Sequence, residues 1–214
     1  MEDKIHSLHF DDNGKFRILT LSDIHAQVQK DEKSISFIQH VLHQVRPNLI
    51  VLLGDQLQSL KNTGNTIETA ISNFMVPIAE SQIPFAVIFG NHDPEIGMKL
   101  EDQMKIYQSY PTCLGRCNPT IENENEAIFE FEKEKIAISG CGNYNLLIKD
   151  SKNEKFIFNL WFADSGHSDE TFIQPNQVEW YDNTYHKMIN EVNEYNNKIS
   201  PNQTNSNQIH SLWF

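Results

Sequence analysis

Three short stretches of this chain group side chains that bind metal ions: Asp23-Ile24-His25, Gly54-Asp55 and Gly90-Asn91-His92-Asp93. Carboxylate, imidazole and amide oxygen together suit divalent ions such as Mn, Fe or Zn better than Mg or Ca alone. The spacing within each stretch has its own logic. In Asp23-x-His25, side chains two apart on an extended strand end leave on the same side, so both can reach one ion. Gly54 lets the backbone turn sharply so that Asp55 projects into a cleft, where its two oxygens could bridge two ions. Gly90 does the same before Asn91, a neutral oxygen ligand. A pair of ions held in this way serves phosphoester hydrolysis.

Each stretch also has an ordinary reading. Asp-x-His is a common surface turn, Gly-Asp after a strand is a turn signal, and Gly-Asn-His-Asp could be a polar strand end. What packing does not explain is their order, each following an apolar run. Phe16 to Leu21, Leu49 to Leu53 and Phe85 to Phe89 read as three buried strands. Between the first two, Ile35, Ile38, Val41, Leu42 and Val45 recur at helical spacing, with Ser34 as N-cap and Pro47 after the stop. Between the second and third, Ile67, Ile71, Phe74 and Ile78 do the same, with Pro77 near the end and Pro84 as the break. Apolar strands separated by amphipathic helices predict a βαβαβ start and a parallel sheet covered on both faces. In such sheets ligands collect at the carboxyl ends of the strands, where all three motifs fall.

The second half reads differently. A helix is expected from about Lys99 to Tyr107, then strands over Ala127 to Phe131, Ile136 to Ser139 and Phe156 to Phe162, giving a more antiparallel arrangement. Pro175 opens a helix whose stripe is Val178, Tyr181, Tyr185, Met188, Val192 and Tyr195, read as core-facing. Asn196 to Gln208 reads as a solvated loop, and Ser211 to Phe214 as one more strand.

Composition bounds the function. The 214 residues, 39% hydrophobic and 21% charged, suit one soluble domain or an incomplete copy of a larger one. A net charge of -12 without a Lys/Arg cluster argues against nucleic-acid binding, and so against a nuclease. It does not argue against phosphate chemistry, because bound cations supply the positive charge. Cys113, Cys117 and Cys141 form no even framework, and Cys113 with Cys117 is half a zinc motif without a second pair; free thiols in a reducing compartment are expected. Met1 through Phe10 has no basic start before an apolar run, and no stretch approaches transmembrane length. The expectation is a cytoplasmic address without membrane contact.

The ordered motifs resemble the calcineurin-like metallophosphoesterase superfamily, and within it the purple-acid-phosphatase-related intracellular phosphatases. That branch is similar in its first strand (Lys15 to Leu19), in Gly142-Asn143-Tyr144-Asn145-Leu146 and in Leu160-Trp161-Phe162-Ala163-Asp164-Ser165-Gly166. The resemblance runs from about Phe16 to Phe214. It implies a layered α/β sandwich with mixed sheets flanked by helices, filling residues 1–214 as one domain lacking its last strands. It implies two divalent or trivalent ions of Mn, Fe or Zn, a phosphate-ester substrate, and hydrolysis by a metal-activated water. Asp23 and His25 then correspond to ligands of the first ion, Asp55 to the bridge, and Asn91 to a ligand of the second. His92 corresponds to the group protonating the leaving oxygen and Asp93 to the carboxylate that orients it. Gln58 stands where true purple acid phosphatases carry a ligand Tyr, so iron-tyrosinate chemistry is not expected.

The superfamily's later histidine motifs are missing. No Gly-His-x-His occurs, and only Gly166-His167 comes near. His167 is the candidate substitute, while His186 and His210 read as structural or solvated. The alternative expectation is therefore a catalytically impaired fragment or a pseudoenzyme that keeps the fold and acts by interaction.

Overall fold

A computed structural model describes residues 7–57, 64–118, 128–131, 134–167, 172–199 and 209–214. The chain opens with β1 (Ile18–Leu21), α1 (Glu32–Val45), β2 (Leu49–Leu53), α2 (Gly64–Ser81) and β3 (Phe85–Ile88). Both strand pairs are parallel, with Thr20 opposite Val51 and Leu52 opposite Val87, in the order β1-β2-β3. The βαβαβ start is as the sequence predicts. A 3₁₀ turn (Asp93–Ile96) and α3 (Leu100–Gln108) follow, then a β4–β5 hairpin (Ile128–Phe131, Glu134–Ala137). A second sheet holds β6 (Tyr144–Lys149), β7 (Phe156–Phe162) and β8 (His210–Trp213), with α4 (Pro175–Ile199) between the last two. It is mixed: β6 runs antiparallel to β7, and β8 parallel to it.

Strand periodicity divides the core into layers. Leu49, Val51, Ala86 and Ile88 face the second sheet and pack with Tyr144, Leu146, Ile148, Leu160 and Phe162. Their neighbours Ile50, Leu52, Phe85 and Val87 face the other way, onto Ile38, Leu42, Ile71, Phe74, Met104 and Tyr107 of the helices. Trp161 points outward from β7 and meets Trp180, Met188 and Val192 of α4. The result is helix, sheet, sheet, helix, and both faces of β2 and β3 are buried, which is why those strands read as unbroken apolar runs.

Several local expectations are corrected. The cap of α1 is Asp31, whose carboxylate accepts from the Lys33 amide at 3.0 Å and from the Ser34 hydroxyl at 2.6 Å, so Ser34 serves the cap from inside the helix. The stripe of α4 is centred elsewhere: Val178 is 56% exposed, and Gln177, Trp180 and Asn196 are buried beside Met188 and Val192. Asn196 to Ile199 belong to α4 rather than to a loop, and Asn196 caps Phe156, accepting from its amide at 3.1 Å and donating to its carbonyl at 2.9 Å. Residues 200–208 and Gln58 lie outside the described residues. The three free thiols are also corrected: Cys117 and Cys141 are joined, and Cys113 alone is free. No helix among the described residues is long and apolar enough to cross a membrane.

The two sheets are pinned by Tyr144. Its ring stacks on Phe162 with centroids 4.5 Å apart, and its hydroxyl donates to the Val87 carbonyl at 2.7 Å and accepts from the Val87 amide at 3.1 Å. A buried phenol therefore satisfies both backbone groups of a residue on the outer side of β3. Tyr144→Phe keeps the stack but strands those two groups. A loss of about 1–3 kcal/mol is expected, read as a lower urea midpoint at unchanged slope.

Candidate active site

Parallel pairing continues beyond the strands and sets the site. After β1 the chain keeps running beside the segment after β2. The Asp23 and His25 amides donate to the Gly54 and Asp55 carbonyls at 3.2 Å each, and the Ala26 amide donates to the Gln56 carbonyl at 2.8 Å. This brings Asp23 and His25 alongside Asp55. The backbone there is not extended as the spacing suggested. Asp23, His25 and Asp55 all sit in the left-handed region, with φ of 54°, 50° and 52°. Such conformations cost non-glycine residues on the order of 1–3 kcal/mol and cluster at functional sites. The pairing survives this change of backbone: His25 Nε2 lies 3.6 Å from Asp23 Oδ1, and the Ser22 hydroxyl donates to Asp23 Oδ2.

The end of β3 is packed against the end of β2 with no room for side chains. A Cβ on Gly54 would overlap the Gly90 amide, and one on Gly90 would lie 2.5 Å from Asp55 Oδ1. Asp55 Oδ1 accepts from the His92 amide at 2.9 Å, so the bridging candidate is bonded to the third motif's backbone. Asn91 and His92 are exposed, whereas Asp55 and Asp93 are buried.

Asp93 is placed differently from its expected role. Its carboxylate accepts from the Gly90 amide at 2.7 Å and the Asp55 amide at 2.9 Å, with the Gln56 amide as a further donor. Burial pushes its pKa up to about 6, against the lowering effect of those amides. The His92 ring instead meets Glu95, with Nδ1 3.1 Å from Oε2. That contact, ahead of the fields of Asp55 and Asp93, raises the His92 pKa above its ordinary value. Glu95 carried no signal in the sequence beyond being three residues from His92.

The donor types fit divalent cations: two carboxylates, an imidazole and an amide on one edge, held by strained turns. Asp23, His25 and Asp55 are the side chains that could hold one ion, and Asp55 with Asn91 a second. Among the described residues no three His, Cys, Asp or Glu side chains form a ready-made cluster. Three further histidines lie on other elements. His167 is exposed and lines a cavity of about 1040 Å³ with Pro94, Met98 and Asp164; none of Asp23, His25, Asp55 or Asn91 is in that lining. His186 pairs with Asp182 at 3.5 Å on α4, and His210 opens β8 opposite Phe158, away from the strand's far end.

A further buried carboxylate, not singled out for any role in the sequence, mirrors Asp93. Asp164 accepts from the Cys141 amide at 2.9 Å and the Gly166 amide at 2.8 Å, and a Cβ on Gly140 would lie 2.5 Å from its Oδ2. Gln177 donates to the Asp164 carbonyl at 2.7 Å and to Asn143 Oδ1 at 2.8 Å. This network fixes the loops beside the cavity.

Residues 16–209 match the family model described as calcineurin-like phosphoesterase. Among curated relatives, "Probable inactive purple acid phosphatase 29" of Arabidopsis thaliana is 30% identical over 225 residues, covering 92% of this chain and 53% of that protein. "Probable inactive purple acid phosphatase 14" of the same plant is 29% identical over 205 residues, covering 83% and 48%. "Phosphatase DCR2" of Saccharomyces cerevisiae is 27% identical over 206 residues, covering 88% and 33%. The chain thus spans about half the length of the two plant relatives and a third of the yeast one.

The raised Asp93 pKa has a sign that can be tested. Folding holds this carboxyl at about 6 against 3.8 when unperturbed, so its neutral form is favoured in the folded chain. Its contribution to stability is full below about pH 4 and is lost as pH rises through about 6, for a total of roughly 3 kcal/mol. Urea unfolding in EDTA should show wild type losing about that much relative to Asp93→Asn between pH 4 and 7.5. A pH-independent difference between the two would refute the assignment.

Proposed function

The chain belongs to the calcineurin-like phosphoesterase family, and from that premise we propose that it hydrolyses phosphate esters, with monoesters as the preferred class, using two metal ions. The observation that carries this reading is the meeting of Asp23, His25, Asp55 and the Asn91-His92-Asp93 turn at one edge of the first sheet. Asp23, His25 and Asp55 would hold the first ion, and Asp55 with Asn91 the second. When bound, Mn, Fe or Zn ions neutralise phosphoryl oxygens and acidify a water. The remaining chemistry falls to the chain itself. Asp55 is fixed in aim by the His92 amide. His92, exposed and next to a carboxylate, donates a proton to the departing alcohol oxygen. Asp93 keeps the two strand ends at the spacing both jobs require.

A second reading has its own support. Two of the relatives named above carry "probable inactive" in their names. Under this reading it is a protein that keeps the fold and acts by interaction. Neither reading calls for nucleic acid or a membrane as partner, given the net charge of -12. The cytoplasmic address, for its part, loses the free-thiol argument now that Cys117 and Cys141 are joined.

Elemental analysis and turnover separate the two. On the hydrolase reading, the purified chain binds Mn, Fe or Zn and turns over p-nitrophenyl phosphate, and Asp55→Asn lowers kcat/KM by at least about 100-fold with loss of bound metal. Two ions per chain would mean that a further side chain completes the second site. A folded chain without turnover in any of these metals would sink the hydrolase reading in favour of the second.

A further inference from the structure

We propose that Glu95 is a positioning residue that fixes the His92 ring for proton transfer to the leaving oxygen; this rests on the hydrolase reading above. His92 is the residue preceding the 3₁₀ turn Asp93–Ile96. In 3₁₀ geometry, side chains three residues apart eclipse one another, so Glu95 is carried over His92 by the turn itself. Its Oε2 lies 3.1 Å from Nδ1. With Nδ1–H donating to that carboxylate, Nε2 is the nitrogen left for the cleft, since the partner of one ring nitrogen sets the task of the other.

The turn that joins the two residues is held on every side. Pro94 sits in its second position and Gly97, at φ 90°, closes it. The buried Gln103 side chain donates to the Asp93 carbonyl at 2.8 Å and to the Met98 carbonyl at 3.0 Å. The His92 amide is held by Asp55 Oδ1 at 2.9 Å. A half-exposed ion pair on a free surface contributes little. Here the backbone fixes both ends, so little entropy is lost in making the contact. Asp93 cannot take this part, because its carboxylate is buried on the Gly90 and Asp55 amides.

The role predicts a dependence on the leaving group that a structural role would not produce. p-Nitrophenolate departs with little protonation, whereas an alkoxide must be protonated as it leaves. Glu95→Ala, Glu95→Gln, His92→Ala and wild type are compared, loaded with Mn, on p-nitrophenyl phosphate and on an alkyl phosphate. Glu95→Ala should lower kcat on the alkyl phosphate by about 10–100-fold with KM little changed, and on p-nitrophenyl phosphate by less than about 3-fold. Glu95→Gln, whose amide oxygen still accepts from Nδ1–H, should recover most of the loss.

Equal losses on the two substrates, or no loss on either, would overturn the role of Glu95. If His92→Ala shows no leaving-group dependence, the general-acid assignment fails as well, and a wild type without turnover removes the hydrolase reading on which both rest. A readout independent of turnover is the tautomer of His92, followed by nitrogen–proton NMR at a pH where the ring is neutral. The proton should sit on Nδ1 in wild type and shift toward Nε2 in Glu95→Ala. An unchanged tautomer overturns the positioning role alone.

Discussion

One buried carboxylate sets the spacing on which the site depends. Asp93 gathers amides from the end of β2 and the end of β3, so two strand ends that would otherwise present unpaired N–H groups are tied at a single point. The cost is visible in the acid itself, whose pKa is raised to about 6 by burial even with amides donating to it. Gly54 and Gly90 follow from the same constraint. Two backbones brought this close leave no space for Cβ atoms, so the glycines of both motifs answer to contact with each other as much as to turning.

With the ends of β2 and β3 fixed, the third strand end is placed by pairing alone. The loop after β1 copies the course of the loop after β2 through three amide-to-carbonyl bonds, which puts Asp23 and His25 beside Asp55. That alignment forces three non-glycine residues into left-handed conformations. Strain of this kind persists only where the surrounding structure over-determines it. Here the surroundings are strands buried on both faces, with Leu49, Ile50, Val51 and Leu52 of β2 fully enclosed. The core supplies the stability that the edge spends on aiming its side chains.

Much of this was legible in the sequence, for physical reasons that can be named. The continuous apolar runs gave β2 to the residue, because two buried faces remove polar alternation. The order of motifs located the sheet edge. What was hidden depended on which way individual polar groups turn. The α4 stripe was mis-centred because Gln177 and Asn196 are buried through hydrogen bonds, and hydrophobic periodicity does not register such residues. The joining of Cys117 to Cys141 needs a close approach across 24 residues that spacing cannot reveal. Asp93 and Glu95 are both acids near His92 in sequence; only the handedness of a 3₁₀ turn decides that one faces inward to amides and the other lies over the ring.

That division of labour between two acids bears on how the histidine can work. A carboxylate that both oriented the ring and tied the strand ends would couple any shift of the ring to the spacing of Asp55 and Asn91. Separating the two tasks leaves Asp93 dry and fixed, while Glu95 and His92 remain half exposed, with side-chain exposures of 55% and 48%. A proton donor that must be recharged from solvent after each turnover needs such access, and a strand clamp needs its absence. Placing the two acids two residues apart, on opposite sides of one short turn, meets both demands. The turn can do so because its first carbonyl, that of Asp93, is held by the buried side chain of Gln103, which also holds the Met98 carbonyl just beyond it.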